Sequence, residues 1–219
     1  DSVETLERLP KENAPKYALS FNLINKQLLC KVALSTVSVA GAKKNLKKEL
    51  DHWDFEKVKN DGKQIWNTYL KKIEIEADDT QKTIFYTAMY HLFLQPSNIT
   101  DVDGQYRGAD DKIALAKNGE YYSTLSLWDT YRGAHPLYTI LVPERVDGFI
   151  NTFLAHHKAQ GYLPIWTAWG QENHCMIGNH SIPVIVDAYN KGFKGFSYDE
   201  AMDAMVKTST ENHLNSDWE

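Results

Sequence analysis

The chain has 219 residues, 42% of them hydrophobic and 24% charged, with a formal net charge of -5. That length can bury a sizeable core, and the composition lies in the range of soluble globular proteins, which argues against disorder; with no apolar run of about 18 residues, it also argues against a spanning helix. Acids and bases are interspersed, which leaves no basic field for nucleic acid and no polybasic face for anionic lipid.

The amino terminus, Asp1-Ser-Val-Glu-Thr-Leu-Glu7, lacks a signal-peptide layout and does not begin with methionine, so the chain reads as a processed or excised piece of a longer protein. The first forty residues look strand-like. Within them, Leu28 to Ser38 carries Cys30, Val32 and Leu34 at a period of two and predicts one or two strands. Cys30 and Cys175 lie far apart in sequence, and two buried free thiols are expected.

From Ala42 the character changes. Ala42 to Leu50 is rich in helix formers, and its cluster Lys43, Lys44, Lys47 and Lys48 reads as a solvated helix face. Phe55 to Leu70 predicts a second helix with Asp54 as N-cap, although Gly62 weakens it. A short strand is predicted at Ile73 to Glu76. The clearest helix runs from Thr80 to Leu94, with Asp78 and Gln81 at capping-box spacing, an apolar face of Ile84, Phe85, Ala88, Met89 and Leu92, and Pro96 as terminator. Asp101 to Ser123 reads as a hairpin-bearing loop. Helices follow over Leu127–Leu141, disturbed by Pro136, then Arg145–Gln160, Ile182–Lys191 and Tyr198–Thr208. Helical hairpins separated by aromatic loops suggest an (α/α) barrel or toroid, and no short repeat is visible.

Function concentrates between Ser126 and Gly192, where tryptophans, lone carboxylates and histidines interrupt apolar segments. Such a mixture suits a sugar pocket, in which flat indoles cover the C–H face of a pyranose and carboxylates, amides and imidazoles bind its hydroxyls. Trp128 is a candidate platform or a core residue; Asp129 is a candidate acceptor for sugar hydroxyls or a helix cap. Arg132 is positioned to clamp Asp129 or to touch ligand. Glu172, near Trp166 and Trp169, reads as a pocket residue, as a general acid raised by desolvation, or as a loop anchor. Asp187 reads as an interior hydrogen-bonding group or a ligand contact.

Other chemistries find less support. Asp101, Asp103 and Gln105 imitate the start of an EF-hand loop, but Tyr106 and Lys112 stand where glycine and glutamate are needed. His174, Cys175 and His180 lack zinc-site spacing, and the sequon Asn98-Ile-Thr100 reads as a loop after Pro96. No nucleophile elbow, phosphate loop or dinucleotide fingerprint is present.

Four words occur in order: Phe85-Tyr-Thr-Ala-Met-Tyr-His91, Asp101-Val-Asp-Gly-Gln-Tyr106, Leu127-Trp-Asp-Thr-Tyr-Arg132 and Cys175-Met-Ile-Gly178. In these the chain resembles an internal portion of the glycoside hydrolase family 92 α-mannosidases. The resemblance implies a mainly α fold, part of an (α/α)6 barrel catalytic domain with a short N-terminal β segment and linker helices. Residues 1–40 would end a β-sandwich, 41–72 would form the helical linker, and 73–219 the N-terminal part of the barrel. It also implies an exo-acting, inverting, calcium-dependent bacterial enzyme, an α-1,2-mannosidase of the periplasm or cell surface, acting on terminal mannose of a glycan. By the resemblance the Trp128-Asp129 pair contacts terminal mannose.

An inverting glycosidase needs two carboxyls about 6.5 to 9.5 Å apart. The residues alone nominate Glu172 and Asp129, whereas the family places its acid and base in later motifs that the chain, ending at Glu219, does not reach. The expectation is therefore a chain that supplies part of the pocket, binds no metal itself, hydrolyses nothing alone and exposes surface covered by the remainder of the parent chain. A glycosidase of another (α/α)-barrel family and a non-enzymatic carbohydrate-binding module stay open on the residues.

Overall fold

The computed structural model describes residues 3–9, 16–23 and 26–212. The chain divides into two compact units, Asp1–Val32 and Ala33–Glu219. In the first, β1 (Val3–Leu9) and β2 (Lys16–Phe21) pair antiparallel, from Val3 opposite Phe21 to Leu9 opposite Lys16, with a register shift between Val3 and Thr5.

The segment Leu28–Ser38 forms no strand, contrary to its alternating pattern. Among the described residues no strand pairs with it, and the apolar members of the pattern are turned outward, Val32 at 76% exposure and Leu34 at 71%. Alternation signals a strand only where one face finds a core. Ile73–Glu76 is irregular for the same want of a partner. Cys30 and Cys175 are both free, and both are exposed rather than buried.

The second unit starts with α1 (Val39–Glu49), α2 (Phe55–Leu70) and α3 (Asp79–Leu92). Each begins where a short polar side chain meets an orphan amide. Ser38 accepts from the N–H of Gly41, Asp54 from that of Lys57, and Asp78 from that of Gln81. α1 is held by a buried polar knot: Asp101, 4% exposed, accepts from Asn45 Nδ2 at 2.7 Å and Ser35 Oγ at 2.7 Å. Asn45 in turn accepts from the N–H of Val102 at 2.9 Å. Gly41 allows this approach, since a Cβ there would stand 2.2 Å from the Asp101 carboxylate. The EF-hand-like word is thus a structural turn leading into the hairpin β4 (Gln105–Arg107) and β5 (Ile113–Leu115).

α2 is continuous through Gly62, and a Cβ added there meets nothing within 4 Å. Gly62→Ala is therefore expected to stabilise the unit by about 1 kcal/mol by removing glycine's backbone entropy. Chemical unfolding checks this; a lower midpoint in the variant would contradict it.

Beyond β3 (Ser97–Asn98), which pairs with β6 (Tyr122–Ser123), come α4 (Leu127–Thr130), α5 (Ala134–Leu141), α6 (Pro143–Gln160), α7 (Ser181–Asn190) and α8 (Tyr198–Thr210). The helix predicted over Leu127–Leu141 is two helices, broken at Arg132–Gly133 rather than at Pro136, which falls in the first turn of α5, where proline is tolerated. α6 is the axis of the core and packs on α5, α7 and α8. Its Phe149, Ile150, Phe153 and Leu154 are at most 4% exposed and meet Leu125, Leu127, Leu163 and Ile185. Its buried polar groups are mostly paired: Asn151 donates to the carbonyls of Asp147 and Gly195, and Thr152 to that of Gly148. Gly161 closes α6 in the left-handed region at φ 89°. Among the described residues no helix is long and apolar enough to cross a membrane.

Candidate functional site

The turn Ser126–Arg132 is built from the inside out. Leu127 is fully buried and pins α4 to the core, which leaves Trp128 half-buried and Asp129 exposed. Ser126 stands at the N-cap position without capping a backbone amide. Its hydroxyl instead donates a short hydrogen bond to the Asp129 carboxylate. Arg132 does not clamp Asp129: its guanidinium lies over the Tyr131 ring, 4.8 Å from the centroid. The expected ion pair gives way because α4 lasts a single turn, so the helical spacing that would align the two side chains is not sustained.

His180, outside the predicted set, joins the two aromatic residues of the turn. Its ring is edge-on to Trp128 at 5.2 Å and tilted against Tyr131 at 4.6 Å. Gly178, at φ 87°, makes room, since a Cβ there would lie 2.4 Å from the imidazole. His180 Nδ1 is buried with no hydrogen-bond partner. The glycine that ends the Cys175-Met-Ile-Gly178 word, two residues before the histidine, is the one sequence signal that could have pointed to it.

The loop from Tyr162 to His174 lies against this turn. Ser126 forms an isolated antiparallel bridge with Trp166, and the N–H of Thr167 donates to the carbonyl of Leu125 at 3.1 Å. β7 (Thr167–Ala168) and β8 (Gln171–Glu172) make a tight hairpin whose corner residues, Trp169 and Gly170, have φ of 54° and 83°. A left-handed tryptophan is strained, and Trp169 is nevertheless 67% exposed. Gly170 fits because a Cβ would stand 2.9 Å from the Arg107 carbonyl.

Glu172 is placed differently from the pocket-lining expectation. Its side chain is 2% exposed. Its carboxylate accepts from the backbone N–H of Ile165 at 2.8 Å, Trp166 at 2.9 Å, Asn173 at 3.1 Å and His174 at 3.4 Å. With its oxygens accepting from amides and its side chain buried, Glu172 has the contacts of a loop anchor rather than those of a general acid paired with Asp129. His156 of α6 approaches from the other side, 1% exposed, with Nε2 3.8 Å from the Glu172 carboxylate and neither ring nitrogen hydrogen-bonded. Burial, with the charges of His157 and His174 adding to it, pushes the His156 imidazole down to about 4, so the ring is neutral at physiological pH.

Asp187, half-exposed, accepts from Lys191 at 2.7 Å; Lys191 also reaches Thr139 at 2.9 Å, so the pair ties α7 to α5. Among the described residues no three His, Cys, Asp or Glu side chains gather as a metal would require. Asp101 is occupied by Asn45 and Ser35, and Asp103 by Lys44 at 2.8 Å. Among the described residues, these two carboxylates are therefore already paired and do not form a calcium site. A cavity of about 390 Å³ lined by Trp66, Tyr69, Tyr138 and Arg145, among others, contains none of the nominated residues.

An exposed, hydroxyl-supported carboxylate beside a half-buried indole can orient a polyol. Residues 41–219 match the model of the glycosyl hydrolase family 92 catalytic domain, and the chain belongs to this family. It is similar to a solved family 92 α-mannosidase from Bacteroides thetaiotaomicron, with 39% identity and a TM-score of 0.78 over 81% of this chain and 24% of that one. It is also similar to a family 92 inverting mannosidase from the same organism, with 28% identity and a TM-score of 0.75 over 83% of this chain and 25% of that one. An uncharacterized secreted glycosidase of Arthroderma benhamiae is 26% identical over 81% of this chain and 19% of its own length. The chain thus spans about a quarter or less of the length of these relatives. The helical architecture is part of the barrel catalytic domain of this family, and the other-family reading falls away.

Proposed function

We propose that this chain forms part of the mannose pocket of an exo-acting α-mannosidase that hydrolyses terminal α-linked mannose with inversion, acting on α-1,2 linkages. Trp128 covers a face of the sugar ring and Asp129 accepts its hydroxyls, while Arg132, Glu172 and Asp187 act behind them. The observation that carries the reading is Asp129: an exposed carboxylate, supported by the Ser126 hydroxyl, beside the half-buried Trp128. A complex of the 40% identical Bacteroides enzyme with mannoimidazole supports mannose as the ligand class. The catalytic acid, the base and the calcium site belong, in this reading, to the remainder of the enzyme, which also covers the exposed apolar residues of α2 and α3, Ile65 and Ile84 among them. Proton NMR of products from α-1,2-mannobiose tests it in the whole enzyme. β-Mannose is expected to appear first, as inversion requires; α-mannose first, or an inert substrate, would contradict it.

A further inference from the structure

Glu172 is tied to the turn that carries Trp128 and Asp129 by an unbroken path of backbone contacts. Its carboxylate holds the amides of Ile165 and Trp166. The Ile165 carbonyl accepts from the N–H of Leu127 at 3.4 Å, and Trp166 is bridged to Ser126. The Ser126 hydroxyl in turn donates to Asp129. Glu172 also holds the amides of Asn173 and His174, so both limbs of the Trp169 hairpin close on one carboxylate. Facing it, His156 presents two buried nitrogens with no hydrogen bond. An unsatisfied buried polar group destabilises the fold, and an apolar side chain of similar shape would avoid that cost.

Resting on the mannose-pocket reading, we infer that Glu172 and His156 are a positioning pair for Asp129. Glu172 sets the distance between the Trp169 hairpin and the Ser126–Asp129 turn, and His156, delivered by the rigid core helix α6, limits how far the carboxylate can retreat. Neither group touches the sugar. Their effect reaches the reaction through the placement of Asp129, where a displacement of about 1 Å can cost up to a hundredfold in rate.

The test uses the whole enzyme with Glu172→Gln, Glu172→Asp, His156→Phe and Asp129→Asn, each followed by kcat, KM and melting temperature on an aryl α-mannoside. Glu172→Gln turns one acceptor into a donor facing backbone amides, and is expected to lower kcat/KM by about tenfold or more, with Glu172→Asp recovering part of the loss. His156→Phe keeps a flat aromatic ring, slightly larger than imidazole, and removes the unpaired nitrogens. It is expected to keep or raise the melting temperature while lowering kcat/KM about threefold or more, and it decides the matter should Glu172→Gln fail to fold. Wild-type kinetics in His156→Phe, or a Glu172→Gln enzyme with a lower melting temperature and unchanged kcat and KM, would reduce the pair to a structural brace and overturn the inference. Wild-type kinetics in Asp129→Asn would sink the pocket reading itself, a separate failure.

Discussion

In the whole enzyme, Asp129→Asn is expected to lower kcat/KM by about tenfold to a hundredfold with little change in melting temperature. The asparagine oxygen can still accept from the Ser126 hydroxyl, the one side-chain partner of Asp129 among the described residues. The folded chain therefore loses little. A bound sugar loses more, because a hydrogen bond to a charged acceptor is worth about 1.5 to 3 kcal/mol and disappears with the charge. Parallel measurement of kinetics and thermal unfolding separates the alternatives. Unchanged kinetics with a collapsed melting temperature would make Asp129 a cap for the turn, with no part in binding.

Acid is expected to destabilise the chain from pH 6.5 down to about 4, beginning well above the range in which ordinary carboxylates protonate. Burial pushes both His135 and His156 down to about 4. His135 lies edge-on to the rings of Tyr138, Phe149 and Phe153, and His156 faces Tyr162 and Glu172 with His157 and His174 nearby. In the unfolded chain each ring titrates near 6.5, so below that pH the unfolded state takes up protons that the folded state refuses. The stabilising contribution is complete above pH 6.5, falls by about 1.4 kcal/mol per pH unit for each ring, and is lost once the native rings protonate near 4. The loss is up to about 3 kcal/mol for each histidine. Chemical unfolding at pH 7, 6 and 5 should show the decline, and His135→Phe should remove about half of its slope. A flat stability from pH 7 to 4.5 would show that neither ring is held neutral by burial.

The features legible in the sequence were those decided within a few residues. Asp54 and Asp78 mark the starts of α2 and α3 because each cap needs only its own side chain and an amide three residues on. For Trp128 and Asp129 the residues alone left core and cap as open as sugar contact, and only the family resemblance favoured the pocket. What failed depended on distant partners. The alternation in Leu28–Ser38 is that of a strand, but among the described residues no edge pairs with it. Glu172 looked like a pocket acid because tryptophans flank it. Its capture by the amides of Ile165 and Trp166 arises only when the β7–β8 hairpin folds back, and the approach of His156 requires α6. His180 carried no usual ligand spacing, and its place between Trp128 and Tyr131 follows from the turn at Gly178.

The measurement closest to the central claim is a crystal structure of the whole enzyme soaked with mannoimidazole, the ligand seen in the 40% identical relative. The account predicts an Asp129 carboxylate oxygen within about 3 Å of a ring hydroxyl, the Trp128 indole against a face of the sugar, and Glu172 still bound to backbone amides behind them. A ligand bound elsewhere, with Asp129 touching only Ser126, would contradict it.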